Sequence, residues 1–164
     1  MVTPMLAEAD IWRALAEVMD PEIPVVSVVD MGIIRAVAVS AGEVTVTMTP
    51  TFSGCPALDV MRRDIEAAVR GLGAARVTIH TVLHPPWTTE WISDAGREKL
   101  RRFGLAPPPR FSSDPTGVAF FDLAECPRCG STRTSLRNAF GPTLCRMIWY
   151  CHDCQDAFEQ FKPL

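Results

Sequence analysis

The sequence predicts an α+β fold, a small mixed β-sheet with helices packed on one face, followed by a β-rich zinc ribbon. Three observations carry that prediction. Helical and strand periodicities alternate in the order helix, hairpin, helix, strand up to Val82. Five of the six cysteines crowd between Cys126 and Cys154, where a metal can replace a hydrophobic core. The proline-rich stretch Ala106-Pro-Pro-Pro109 separates the two regions. The expected organisation is an α+β domain over 1–105, a Pro-rich linker over 106–119 and a four-cysteine zinc ribbon over 120–164.

Asp10 can cap a first helix whose apolar residues Ile11, Leu15, Val18 and Met19 follow the spacing of one buried face. Asp20-Pro21 then stops it. The segment Asp20-Pro-Glu-Ile-Pro24 is stiff and acidic, a rigid connector in which Asp20 and Glu22 are also site candidates. Ile33 to Val39 and Val44 to Met48 are β-rich runs joined by Ser40-Ala-Gly-Glu43, which reads as a hairpin. Leu58, Met61, Ile65, Val69 and Leu72 recur at helical spacing, and Gly71 or Gly73 ends that helix. Arg76 to Val82 is a further strand with Val77, Ile79 and Thr81 on one face.

His84-Pro-Pro-Trp87 forms a rigid loop, and Thr88 or Thr89 can cap a short helix carrying Trp91, Ile92, Leu100 and Phe103 before Gly104. Trp87 and Trp91 are packing residues first and ligand-stacking residues second. His80 and His84 lie close together, and a histidine at a strand end is more often a satisfied structural group than a ligand.

The junction Met48-Thr-Pro-Thr-Phe-Ser-Gly-Cys-Pro-Ala57 leads from an alternating strand into the best amphipathic helix. Pro56 suits the first helical position, which puts Cys55 at the N-cap, where unpaired amides and the helix dipole favour a thiolate. Gly54 supplies freedom for the tight turn before it. The competing possibility is a small apolar cysteine packed inert beneath the loop.

Cys126-Pro-Arg-Cys129 and Cys151-His-Asp-Cys154 are two C-x-x-C turns separated by 21 residues, a zinc-ribbon spacing. A closed four-sulfur shell leaves no position for water, so the implied metal is structural Zn2+, with rubredoxin-like iron as the chemical alternative. His152 lies inside a turn as a non-ligand. Cys145 is left over, either a buried structural thiol or a second reactive sulfur.

A net charge of −3 and an even balance of five basic and five acidic residues after Ala119 leave no phosphate-tracking patch. No apolar run is long enough to span a bilayer and no secretory signal leads the chain, so a reduced, cytoplasmic protein with no nucleic-acid or membrane partner is expected. No Glu-x-x-His pair, Rossmann fingerprint or P-loop is present, so di-iron, nicotinamide and nucleotide chemistry have no visible site.

Asp20-Pro-Glu-Ile-Pro24, Val29-Asp-Met-Gly32 and Thr49-Pro-Thr-Phe-Ser-Gly-Cys-Pro56 resemble the iron–sulfur assembly domain of cluster-targeting factors of the SufT type. Pro85-Pro-Trp87, Gly96-Arg-Glu-Lys-Leu100 and Asn138-Ala-Phe-Gly-Pro-Thr-Leu-Cys145 extend the resemblance to the PaaD family, accessory subunits of phenylacetyl-CoA ring-epoxidase systems in aerobic phenylacetate degradation. The resemblance implies a non-enzymatic role in supplying or maturing a metal centre, with the iron–sulfur cluster of the reductase as destination. It implies oxygenase and reductase subunits and the iron–sulfur assembly machinery as partners. Cys55 is then the functional thiol, with Asp20 as loop partner and Thr51 and Gly54 in the same motif. Cys145 belongs to the subfamily pattern, though Pro142 stands where a small hydroxyl residue is expected.

Three functions follow. In the first, Cys55 binds iron or a labile cluster transiently, and because one cysteine cannot fill a four-thiolate shell, a homodimer or partner ligands are required. In the second, both modules are docking surfaces of a non-catalytic adaptor. In the third, Cys55 is the nucleophile of a hydrolase or thiol-transfer enzyme, which needs His80 or His84 as its base.

Overall fold

Residues 6–110 and 124–163 are described by a computed structural model, and they divide into two units between Gly96 and Arg97. Of the expected organisation, linker residues 111–119 and ribbon residues 120–123 and 164 lie outside the described residues, as do residues 1–5.

In the first unit α1 runs Glu8–Leu15 and buries Ile11 and Leu15 completely. Asp10 is not its cap. The helix starts behind Ala7, and Asp10 sits in the first turn in an ion pair with Arg13, where its charge still complements the dipole. Nor does the helix run on to Asp20-Pro21. The backbone of Val18 to Asp20 pairs instead with Val26 to Val28 through Asp20 N to Val26 O at 2.9 Å and Val28 N to Val18 O at 2.9 Å. Val18 is buried on this ladder, whereas Met19 is exposed.

The hairpin forms as β1 (Ile34–Ser40) and β2 (Glu43–Met48), with Ser40 opposite Glu43. Only Ala41 and Gly42 lie between them, both at positive φ (49° and 81°), the pattern of a type I′ turn whose twist matches that of the strands. β3 (Arg76–Thr81) lies parallel to β2, so the sheet order β1-β2-β3 is mixed. Val37, Val44, Val46 and Met48 are buried from the sheet. The helix α2 (Leu58–Gly71) buries Met61, Ile65 and Val69 and packs on β3 and α1. Each of these side chains stabilises the unit by about 1.5–3 kcal/mol. Leu72, expected on the same face, lies beyond the helix and is exposed.

The helix expected after Trp87 is two elements. Thr88 caps a single 3₁₀ turn, Thr89–Trp91, its Oγ1 accepting from Glu90 N at 3.4 Å. Ile92 is extended, so α3 (Asp94–Phe103) must start afresh, with Ser93 Oγ accepting from Gly96 N at 2.9 Å. Gly32 is needed beside this turn: its φ is +65°, and a Cβ there would lie 2.4 Å from Trp91 O.

The second unit is a four-stranded sheet in the order β4-β7-β6-β5, built from β4 (Leu105–Ala106), β5 (Thr134–Asn138), β6 (Arg146–Cys151) and β7 (Ala157–Phe161). β4 runs parallel to β7, while the other pairs are antiparallel. Ala106, which composition assigns to a linker, is thus a buried strand residue. One buried cluster of this unit is Ala106, Ala124, Cys126, Met147, Trp149, Cys151 and Phe158, and Leu105 and Phe161 are buried as well. Among the described residues no helix is long and apolar enough to cross a membrane.

Candidate functional site

Parallel pairing sets Met48 opposite Thr81, so β2 and β3 end at the same edge of the first sheet. β1 begins there too, with Ile34 opposite Met48. Three connecting segments therefore share this edge: the one entering β1, Thr49 to Ala57 after β2, and Val82 to Trp87 after β3. Thr49 N to Ile33 O at 2.8 Å and Val82 N to Met48 O at 2.9 Å tie them down. Trp87 is buried across them, its Nε1 donating to Met31 O at 2.9 Å. Crevices outside the carboxyl ends of parallel strands are where such sheets place ligands.

Cys55 lies on the middle segment and is half-buried. It is not the N-cap of α2. Its amide donates to Phe52 O at 3.2 Å and its carbonyl accepts from Leu58 N at 3.1 Å, so two successive turns precede a helix capped at Ala57. Pro56 takes the second position of the latter turn, for which its φ is as well suited as for the first position of a helix. The dipole acts mainly within the first turn, so its pull on a thiol three residues upstream is weaker than the N-cap placement implied. Gly54 is exposed, its φ is not left-handed, and a Cβ added to it meets nothing within 4 Å. The turn itself does not require glycine, and a side chain at this position would enter open space. Thr51 is half-buried on the same segment.

Asp20 is a builder of its loop: it is 9 % exposed, and Oδ1 accepts from Glu22 N at 2.8 Å and Ile23 N at 3.0 Å. Glu22 is half-buried. Trp91 carries the Arg35 guanidinium 3.5 Å from its ring centroid, so one face of the ring is covered by a cation of the same chain. His80 sits opposite Thr47 on β3, and His84 follows on the loop; both are exposed.

In the second unit the four sulfurs of Cys126, Cys129, Cys151 and Cys154 all lie within 4.8 Å of one another. Cys126 and Cys154 are 3.7 Å apart and Cys129 and Cys151 3.5 Å apart, against about 3.8 Å for sulfurs on a tetrahedron with ~2.3 Å zinc bonds. The donor set fits a structural metal such as zinc. The two turns are built alike. Gly130 and Gln155 stand four residues after the first cysteine of each turn, both at positive φ (72° and 58°). Asp153 accepts from Ser131 Oγ at 2.5 Å and from Arg133 at 2.6 Å, and Arg128 pairs with Asp156, so side chains cross between the turns. The Cys154 amide foremost, with that of Asp153, holds the Cys151 thiol down to about 6. Desolvation, reinforced by neighbouring sulfurs, pushes Cys154 up to about 12. His152 stands outside the set, with Nε2 3.1 Å from Ser135 Oγ. Asp153 and Gln155 carry no signal in the sequence, because a cross-turn partner and a left-handed glutamine have no spacing signature.

Cys145 is 8 % exposed, and its Sγ lies 3.1 Å from Thr143 Oγ1. It belongs to the second unit and Cys55 to the first.

This fold and these sites define an iron–sulfur assembly domain joined to a four-cysteine ribbon. Residues 8–80 match the iron–sulfur cluster assembly protein family, and residues 119–162 match the PaaD zinc beta ribbon domain. A solved domain of unknown function from Bacillus anthracis superposes with a TM-score of 0.54 at 26% identity, covering 57% of this chain and 90% of that one. An "Fe-S protein maturation auxiliary factor" of Porphyromonas gingivalis is 44% identical over 95 residues, 57% of this chain and 90% of that protein. The D component of the "Putative 1,2-phenylacetyl-CoA epoxidase" of Escherichia coli is 36% identical over 153 residues, 93% of this chain and 91% of its own length. The chain belongs to the PaaD family, together with this epoxidase component.

Proposed function

We propose that this chain is a cytoplasmic accessory factor that matures a metal centre of a phenylacetyl-CoA epoxidase system, the destination being the iron–sulfur cluster of the reductase. The chain itself does not epoxidise the substrate. The observation that carries this is the position of Cys55, half-buried beside an exposed glycine at the carboxyl edge of a parallel strand pair. The names of the maturation-factor and epoxidase relatives point the same way.

In this proposal iron or a labile cluster is cargo, and Cys55 is one of its ligands. Clusters usually take four thiolates, and the clustered sulfurs among the described residues are those of the ribbon. The remaining ligands therefore come from a second copy, a partner protein or a small thiol. Cys126, Cys129, Cys151 and Cys154 hold structural zinc and keep the ribbon folded. Anaerobic reconstitution with iron and sulfide is expected to give a cluster absorption band that Cys55→Ala abolishes. A band unchanged in that variant rejects Cys55 as ligand.

A non-catalytic adaptor is the second reading, favoured by the commitment of Asp20 and Cys145 to local structure. It expects Cys55→Ser to support full epoxidase activity in a deletion strain while disruption of the ribbon does not.

A further inference from the structure

We propose that the β5–β6 loop of the ribbon is a docking surface for a protein partner whose contact face is apolar and carries carboxylates. Phe140 and Leu144 are 72 % and 65 % exposed, more than any other large apolar side chain described, and Leu136 on β5 is 42 % exposed. The loop that carries them is tied down. Phe140 N donates to Asn138 Oδ1 at 3.0 Å, Gly141 N to Arg146 O at 2.8 Å, and Lys162 N to Cys145 O at 2.8 Å. Cys145 packs inward beneath it. An ordered loop that buries its cysteine while holding a phenylalanine and a leucine outward has the form of a binding anchor.

Charge identifies the occupant. Arg128, Arg133 and Arg146 of the same unit each face a carboxylate. Arg137 and Lys162 instead lie over the rings of Tyr150 and Phe140, at 4.8 Å and 5.0 Å, and neither has an acidic partner among the described residues. Lys162 on the anchor's own ring and Arg137 on the strand leading into the loop, neither facing a carboxylate among the described residues, select a surface bearing Asp or Glu. A second copy of this chain is a poor occupant, because a two-fold contact would bring the same cations against each other.

This inference rests on the accessory-factor reading only in requiring a protein partner, and its test is separable from that of Cys55. The zinc-loaded full chain is titrated against the purified oxygenase component and, separately, the purified reductase component of the same organism's epoxidase. Phe140→Ser/Leu144→Ser and Arg137→Glu/Lys162→Glu double variants are each expected to weaken binding to one component by about tenfold or more. Wild-type affinity should fall with salt. Zinc content, melting temperature and Cys55-dependent cluster uptake should match wild type in both variants. Wild-type affinity in both variants, no binding of either component by the wild type, or a dimer lost only in the apolar variant overturns the proposal. Loss of the Cys55 band alone leaves it standing.

Discussion

The first unit closes around Ile11, Leu15, Val46, Met48, Met61 and Ile65, all at most 1 % exposed, and uses no sulfur ligand to do so. In the second, Cys126 and Cys151, half of the four-cysteine set, are themselves members of a buried cluster with Ala106, Ala124, Met147, Trp149 and Phe158. Two helices on a sheet bury enough apolar surface to fold by themselves; a short ribbon does not, and metal coordination makes up the difference. The consequence is a division of labour among cysteines. Four sulfurs of the ribbon lie together as a set that fits a structural metal, and Cys55 stands half-buried in the other unit.

Ways to break that comparison range widely in size. Cys151→Ser, or removal of the metal by a chelator, should cost the ribbon metal-linked folding free energy on the order of 10 kcal/mol or more. Trp149 should then become exposed and its fluorescence red-shift, while the first unit keeps its own cooperative transition. Acidification acts in the same direction, because each proton competes with the metal for a sulfur, so occupancy measured by metal analysis should fall with pH. Loss of both units together would show that the first unit leans on the ribbon after all. Ile65→Ala should do the converse, destabilising the first unit by about 2–5 kcal/mol through the cavity it leaves, with zinc stoichiometry unchanged.

Trp87→Phe keeps most of the packing but removes the donor to the buried Met31 carbonyl, at a cost of roughly 1–3 kcal/mol in urea unfolding. Gln155→Gly should stabilise the ribbon by about 1 kcal/mol or less, read as a small rise in its melting temperature, since relief of the left-handed backbone exceeds the extra entropy of glycine. Gly54→Ala should change stability by less than about 0.5 kcal/mol, because its Cβ enters open space. If that substitution nevertheless weakens cluster uptake, the open space at Gly54 is used by something outside the chain.

Legibility followed the range of the interactions involved. The hairpin, the Met61-Ile65-Val69 face of α2 and the clustering of the four ribbon cysteines could be read from the chain because period and C-x-x-C spacing are properties of a few adjacent residues. Helix starts could not. Asp10 and Ser93 are both acceptable caps, and only the competing pairing of Val18 to Asp20 and the extended Ile92 decide where α1 stops and α3 begins. Ala106 was hidden for a similar reason: two residues of β4 become a strand only because β7 lies beside them. That Asp20, a site candidate in the sequence, is also the acceptor that builds its own turn needs the positions of the Glu22 and Ile23 amides.

What the sequence determined by itself was the pair of modules and the four cysteines whose sulfurs lie together, since a C-x-x-C turn presents its two sulfurs together wherever it sits. What only the tertiary structure decided was the state of the other two cysteines. Burial, turn geometry and neighbours are properties of segments brought together from far along the chain: they set Cys145 beneath its loop and leave Cys55 half-buried, one turn ahead of α2.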